Sequence, residues 1–290
     1  MRAIKSLGSN YIYVIWFMIY FGIAWLLRGL SVGSTTWLLI IYIISISIAL
    51  SPLGEMILRI LKNCRHPLTA QERNYLLPLF EEVLQGAREI SPRLSDKIKL
   101  YIIDAMHIES FAIGRQTIVI SIGAIETFTA EELEGIFAHE LGHMEHGHTK
   151  AILLSNIGNA VFTVHIWILK GIFYVLQILA DIAAKHGFVG KILSLAMIVI
   201  RFCIDWGTIL FIHLSEIILA INSRSNVIQA DSFAYKMGYG GQLKSSLYLL
   251  QKISMTTEQT LLDRLKHPDP HIALRIAHLE GLERQDEELL

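Results

Sequence analysis

The sequence predicts a mainly α-helical integral membrane protein that also carries a folded, more polar domain with a small β-sheet. Three observations predict it. Of 290 residues, 53% are hydrophobic and only 18% charged, with a mean hydropathy of +0.47, whereas soluble domains carry roughly 25% charged residues. Two long uncharged runs open the chain. Between the apolar runs lie stretches with helix-capping signatures and short Ile-rich segments.

The first uncharged run extends from Ser6 to Leu27 and the second from Gly29 to Gly54. A spanning helix needs about 20 apolar residues, so each is long enough. The first lacks a small-residue cleavage site and a second span follows at once, so it reads as an uncleaved anchor. Arg28 and Gly29–Thr35 form the turn between them. Arg2 and Lys5 precede the first span, Arg59, Lys62 and Arg65 follow the second, and only Arg28 lies between. The positive-inside bias therefore places the N-terminus and everything after residue 60 in the cytoplasm, in a multi-pass protein of the inner or plasma membrane.

Residues 63–150 read as folded protein outside the lipid. Thr69 and Glu72 form a capping box that starts a helix, and Pro78 is expected to kink or break it. Lys97–Ala105 reads as a strand, and Phe111–Ser121 as two short strands around Gly114. A second capping box, Thr129 with Glu132, opens the helix EELEGIFAHELGHMEHGH, with Glu131 and Glu132 where the helix dipole favours negative charge.

Residues 151–222 turn apolar again and read as two further spans, interrupted by Lys170, Arg201, Asp205 and Glu216. Arg201 and Asp205, four apart, are placed to neutralise each other on one helix face. A long amphipathic hairpin lying on the membrane is the alternative. From Asn222 onward the chain is polar and helical in pattern. The expected organisation is thus two membrane helices in 1–62, the first part of a catalytic domain in 63–150, a membrane hairpin in 151–222 and the second part of the domain in 223–290. The net charge of −1 speaks against nucleic-acid binding. Cys64 and Cys203 are isolated, which excludes a disulfide framework and a cysteine zinc site.

His139-Glu140-Leu141-Gly142-His143 fits H-E-x-x-H. On a helix, positions i and i+4 share a face, so two imidazoles can reach one zinc ion, with Glu140 as general base toward a metal-bound water. Two incidental histidines on a surface helix are the bland alternative. The capping box, the polar flanks and the upstream strand weigh against it. Thr149 stands where a metzincin would need its third histidine, so that class is excluded. His146 and His148 read as solvated or supporting histidines at a helix C-terminus. A catalytic zinc needs a third protein ligand. Glu216 and Asp231 are candidates, and spacing does not choose between them.

The chain resembles the HtpX-type membrane metalloproteases, relatives of the CAAX prenyl endopeptidases and of the mitochondrial Oma-type proteases. The resemblance rests on FAIGRQTIVISIGAIE followed by AHELGH, on SRSNVIQADSFA at 223–234 and on HPDPHIALRI at 267–276. It implies a zincin-like (gluzincin) catalytic domain with about four transmembrane helices, one Zn2+ per chain, and polypeptide substrates, above all membrane or misfolded proteins cut at the cytoplasmic side of the bilayer in quality control. It also implies that Asp231 orients a ligating histidine, that His267 is a candidate oxyanion donor, with capping beside Pro268 an equal alternative, and that Arg275 serves structure by pairing with Asp231 or a nearby carboxylate. The strand Thr117-Ile118-Val119-Ile120 is expected to present an unpaired edge to a peptide.

One departure matters. The family places a glutamate, its third zinc ligand, four residues before the aspartate, and here that position is Val227. An isopropyl group cannot bind zinc, so the chain as written is expected to be inactive or to hold zinc weakly. A variant with the ligand replaced, a natural inactive relative, and a substitute carboxylate such as Glu216 are the three readings. The otherwise intact apparatus favours the first. Two rival functions compete with this reading. A site-2-type intramembrane protease fits poorly, because charged residues flank the motif. A non-catalytic membrane protein that binds unfolded segments is favoured by Val227.

Overall fold

A computed structural model describes residues 18–19, 21–22, 25, 32–154, 157, 160–254 and 269–288. The expected first span, Ser6–Leu27, falls mostly outside the described residues, and His267 lies outside them entirely. The architecture is mainly helical with a small sheet, as the composition predicts. The elements are α1 (Val32–Ala49), α2 (Pro52–Leu61), α3 (Ala70–Ile90), β1 (Lys99–Ile103), β2 (Ser110–Ile113), β3 (Thr117–Ser121), α4 (Ile122–Thr127), α5 (Ala130–Glu145), α6 (His148–Leu153), α7 (Ala160–Ala184), α8 (Phe188–Lys236), α9 (Gly240–Ser254) and α10 (Ile272–Glu287).

Both expected capping boxes form: Thr69 Oγ1 accepts from the Glu72 N–H and Thr129 Oγ1 from the Glu132 N–H, with each glutamate reaching back. Pro78 does not end its helix, which runs through to Ile90. Burial of Leu76, Phe80, Val83, Leu84 and Ala87 on one face outweighs the roughly 3 kcal/mol that an interior proline costs. That face meets Phe137 of α5, whose ring stands edge-on to Phe80 with centroids 5.5 Å apart. Phe137 is fully buried, and its truncation to alanine would cost about 3–5 kcal/mol.

The sheet order is β1-β3-β2, with β1 and β3 parallel and β2 antiparallel to β3. This corrects one expectation. Thr117–Ile120 belong to β3, the central strand, paired on both sides and fully buried. A strand bonded on both sides has no free N–H or C=O row left for a substrate. Among the described residues the edges are β1, bridged at Ile102 by Arg65, and β2, which carries no further strand and packs directly on α5.

Helix α2 follows the second apolar run and fastens it to the sheet. Gly114, at φ +58°, turns the β2–β3 hairpin and leaves no room for a side chain, because the Glu55 carboxylate fills that space. Glu55, itself buried, accepts from the backbone N–H groups of Arg115 at 2.7 Å and Gln116 at 3.2 Å. Arg59, one turn on, donates to the Tyr101 hydroxyl of β1. Arg65 then bridges Glu72 at the start of α3 and Asp104 after β1.

Helices α7 and α8 form a long antiparallel hairpin. Among the described residues one helix, Ile166–Ala184, is long and apolar enough to cross a membrane, and α1 with α2 passes only as a bent pair. The expected Arg201–Asp205 pairing gives way to a cross-helix one, in which Lys170 of α7 meets Asp205 at 2.9 Å and the Arg201 guanidinium lies over the Tyr174 ring. Helix α8 also runs without a break through residue 222, so the hairpin and the second part of the polar domain share one rod.

The grip of Glu55 has a measurable consequence. Glu55→Ala should leave two turn N–H groups without their acceptor, at about 1–3 kcal/mol each for a buried donor, and lower the thermal midpoint of detergent-solubilised protein by several degrees. An unchanged midpoint would mean that α2 does not fasten the sheet.

Candidate metal centre

Helix α5 brings the predicted residues to the junction of the sheet with α8, α9 and α10. Two glycines permit the approach. A Cβ on Gly135 would stand 2.4 Å from the Leu243 backbone nitrogen, and one on Gly142 would stand 2.9 Å from the Ala230 Cα. The second contact draws the Asn226–Asp231 stretch of α8 against the motif.

His139 and His143 face each other edge-on with ring centroids 4.8 Å apart. The Asp231 carboxylate lies 2.7 Å from His139 Nδ1. An Nδ1–H donated there fixes the tautomer and leaves Nε2 as the free donor atom. Asp231 is fully buried and receives both arms of Arg275, Nε at 2.9 Å and Nη2 at 2.7 Å. Burial alone would raise the Asp231 pKa, but Arg275 and His139 outweigh it and hold the carboxyl well below the usual carboxylate range. The expected roles of Asp231 and Arg275 thus have a geometry: Asp231 touches a motif histidine and Arg275 neutralises Asp231.

Glu140 points the other way, toward the sheet. Its Oε1 accepts from Ser110 Oγ, on β2, at 2.7 Å. Burial pushes its pKa up, with His139 and Ser110 pulling partly against this. The carboxyl is therefore held beside the free sheet edge with an enhanced affinity for a proton, which suits a general base and acid. Sequence reasoning missed Ser110, a serine with no motif around it.

The remaining histidines act as neighbours. His143 Nδ1 lies 3.2 Å from His148 Nδ1. Burial first, then the neighbouring His139, His148 and Arg275, lowers the pKa of His143 well below its ordinary value, and burial with His146 brings His148 down to about 4. Both are neutral imidazoles near pH 7. His146 caps α5, with Nδ1 2.9 Å from the Gly142 carbonyl. Ring contacts at 5.3 and 5.4 Å link His143, His148 and His146.

The third position breaks the pattern. Val227, one helical turn before Asp231 on α8, is 2% exposed and offers no donor atom. The Glu216 side chain lies outside the described residues. Among the described residues no group of three His, Cys, Asp or Glu is arranged to hold a metal ion. Two imidazoles without a third protein ligand do not fit a catalytic zinc site.

Residues 72–283 match the model of peptidase family M48. A protease HtpX homolog of Bacteroides fragilis (strain YCH46) is 25% identical over 262 residues, covering 86% of this chain and 73% of the relative. A CAAX prenyl protease 1 homolog of Oryza sativa subsp. japonica is 25% identical over 226 residues, covering 74% of this chain and 51% of the relative. The crystal structure of S. mikatae Ste24p aligns with 96% of this chain and 65% of its own, at 18% identity and a TM-score of 0.47. With the family model spanning most of its length and the H-E-x-x-H helix seated between β2 and α8, this chain belongs to peptidase family M48.

Proposed function

We propose that this chain is a membrane-anchored endopeptidase scaffold of the M48 type, directed at polypeptides of membrane or misfolded proteins on the cytoplasmic face, and idle as it stands because Val227 occupies the third-ligand position. One observation carries the reading: every neighbour of the missing ligand is built, and the position itself is a buried isopropyl group. Glu140 and Ser110 flank the free edge of β2. A peptide laid along β2 as a further strand would gain main-chain hydrogen bonds and bring its carbonyls past Glu140. The apolar run ending in α2, the basic residues after it and the α7–α8 hairpin support bilayer anchoring with the polar domain inside.

Val227 also favours a second reading, in which the same edge holds unfolded segments without cutting them. Both readings share the binding edge and differ only in what a restored ligand would do.

Metal content tests the first step. Purified protein should carry well under one equivalent of zinc by elemental analysis, and its thermal midpoint should not change with a chelator. One tightly held zinc per chain would mean that a side chain outside the described residues completes the site.

Catalysis tests the next. Val227→Glu should gain zinc and begin to cleave an unfolded polypeptide substrate. Adding Glu140→Gln should keep the metal and lower the cleavage rate by about 10²–10⁴-fold, the usual contribution of a general base. Adding His139→Ala should abolish both. If Val227→Glu binds zinc and cuts nothing, the holding function replaces the peptidase reading.

Orientation is tested separately. A reporter fused after residue 65 should behave as cytoplasmic, and an extracytoplasmic signal would overturn the topology. Lys185 and Lys191, between α7 and α8, are the residues most able to disturb the charge rule.

A further inference from the structure

The α7–α8 hairpin has an inverted polarity. Its outward faces are apolar and exposed, including Ile168, Ile172, Leu179, Leu195, Ile198 and Leu210. Its polar residues line the seam between the two helices. Gln177 Nε2 and Ser194 Oγ both donate to Asp181 Oδ1, at 2.7 and 2.5 Å. Further from the turn come Tyr174 with Arg201, then Lys170 with Asp205. Ionisable residues in a membrane helix face the bundle interior and mark a functional site.

The direct pairings in the seam are unequal. Lys170 is matched by Asp205 at 2.9 Å. Arg201 stacks on the Tyr174 ring, 5.3 Å from its guanidinium carbon, feels the Asp181 carboxylate at longer range, and among the described residues makes no direct hydrogen bond or ion pair. A cavity of about 280 Å³ opens here, lined by Lys170, Gly171, Tyr174, Arg201 and Asp205. Gly171 lies in its wall, with open space where a Cβ would stand. The lining thus carries two cations and one carboxylate, and the Arg201 guanidinium fork presents donors to the cavity, which matches a phosphate diester in charge and geometry.

The depth also fits. Lys170 and Lys185 are about 22 Å apart along α7 at 1.5 Å per residue. With their long stems reaching outward from both ends, the two levels bracket a hydrocarbon layer of about 30 Å. Trp167 and Trp206, 76% and 60% exposed, stand at the level of the cavity, as aromatic side chains do at a membrane interface.

We propose that the Lys170–Arg201–Asp205 cavity binds the phosphate of an anionic phospholipid at one interface of the bilayer. The site rests on the membrane reading of α7 and α8. The lipid phosphate is received by Arg201, while Lys170 keeps Asp205 occupied and so prevents it from neutralising Arg201 from four residues away.

The test uses the full chain, delipidated in detergent, titrated with phosphatidylglycerol or phosphatidylcholine of identical acyl chains and followed by native mass spectrometry. Phosphatidylglycerol should bind about tenfold more tightly, a difference of about 1.4 kcal/mol. Arg201→Gln should erase that preference, Arg201→Lys should keep most of it, and Lys185→Gln at the hairpin turn should leave it intact. Lys170→Gln supplies a second arm if Arg201→Gln does not fold: Asp205 is then free to pair with Arg201, and the preference should fall as well. Equal binding of the two lipids, or a preference unaltered in both Arg201→Gln and Lys170→Gln, overturns the site. Displacement of phosphatidylglycerol by millimolar inorganic phosphate would make free phosphate the ligand and overturn the lipid assignment. Release of the chain from membranes by alkaline carbonate would instead defeat the membrane reading itself, which a missing lipid preference alone would leave standing.

Discussion

A buried carboxylate must be neutralised, and the arrangement around Asp231 follows from that requirement. Asp231 has no exposure to solvent, and breaking such a pair by removing one partner costs about 3–5 kcal/mol. Arg275 supplies the countercharge from α10 and His139 the additional hydrogen bond from α5. Three helices distant in sequence are thereby held in one register. That register sets the orientation of His139, and through the rigidity of α5 it sets where Glu140 meets Ser110 on the sheet. The network needs no metal to be satisfied. Its aspartate is already matched by an arginine.

Helix α8 connects this network to the apolar hairpin. It runs from Phe188 to Lys236 and carries Arg201 and Asp205 near one end and Val227 and Asp231 near the other. A second connection comes from the opposite side, where Glu55 and Arg59 of α2 hold the β2–β3 turn and β1. The edge strand is thus fastened to one apolar element and the motif helix packs on another. Proposed bilayer anchoring would fix both halves of the cleft with respect to the same plane, which suits a surface that receives extended segments of membrane proteins.

Much of this was legible in the sequence. Both capping boxes, the two strands around Gly114 and the H-E-x-x-H helix are local patterns, in which a few neighbouring residues specify a turn of backbone. The pairing of Arg275 with Asp231 or a nearby carboxylate was implied by the family resemblance, and the structure pairs it with Asp231. Three expectations were corrected. Pro78, expected to kink or break its helix, does not break it, because the buried face of α3 outweighs the lost hydrogen bond. Thr117–Ile120 proved central because a strand's own sequence does not say which neighbours it has, and an apolar run suits a strand covered on both sides as well as an edge. Arg201 and Asp205 satisfy the i, i+4 rule yet do not pair, because Lys170 approaches from the facing helix.

The sequence by itself determined which chemistry this chain could carry: two imidazoles and a carboxylate on one helix, and an isopropyl group at the position where the family has its third ligand. Those are matters of residue identity and helical period, and no packing can alter them. The packing of separate elements fixed that β2 is an edge strand among the described residues, that Ser110 holds Glu140, that Glu55 closes the sheet turn and that Arg201 faces a cavity in the helix seam. Each of these joins groups from separate elements, and their meeting is fixed by how buried faces and charges are satisfied together across the fold.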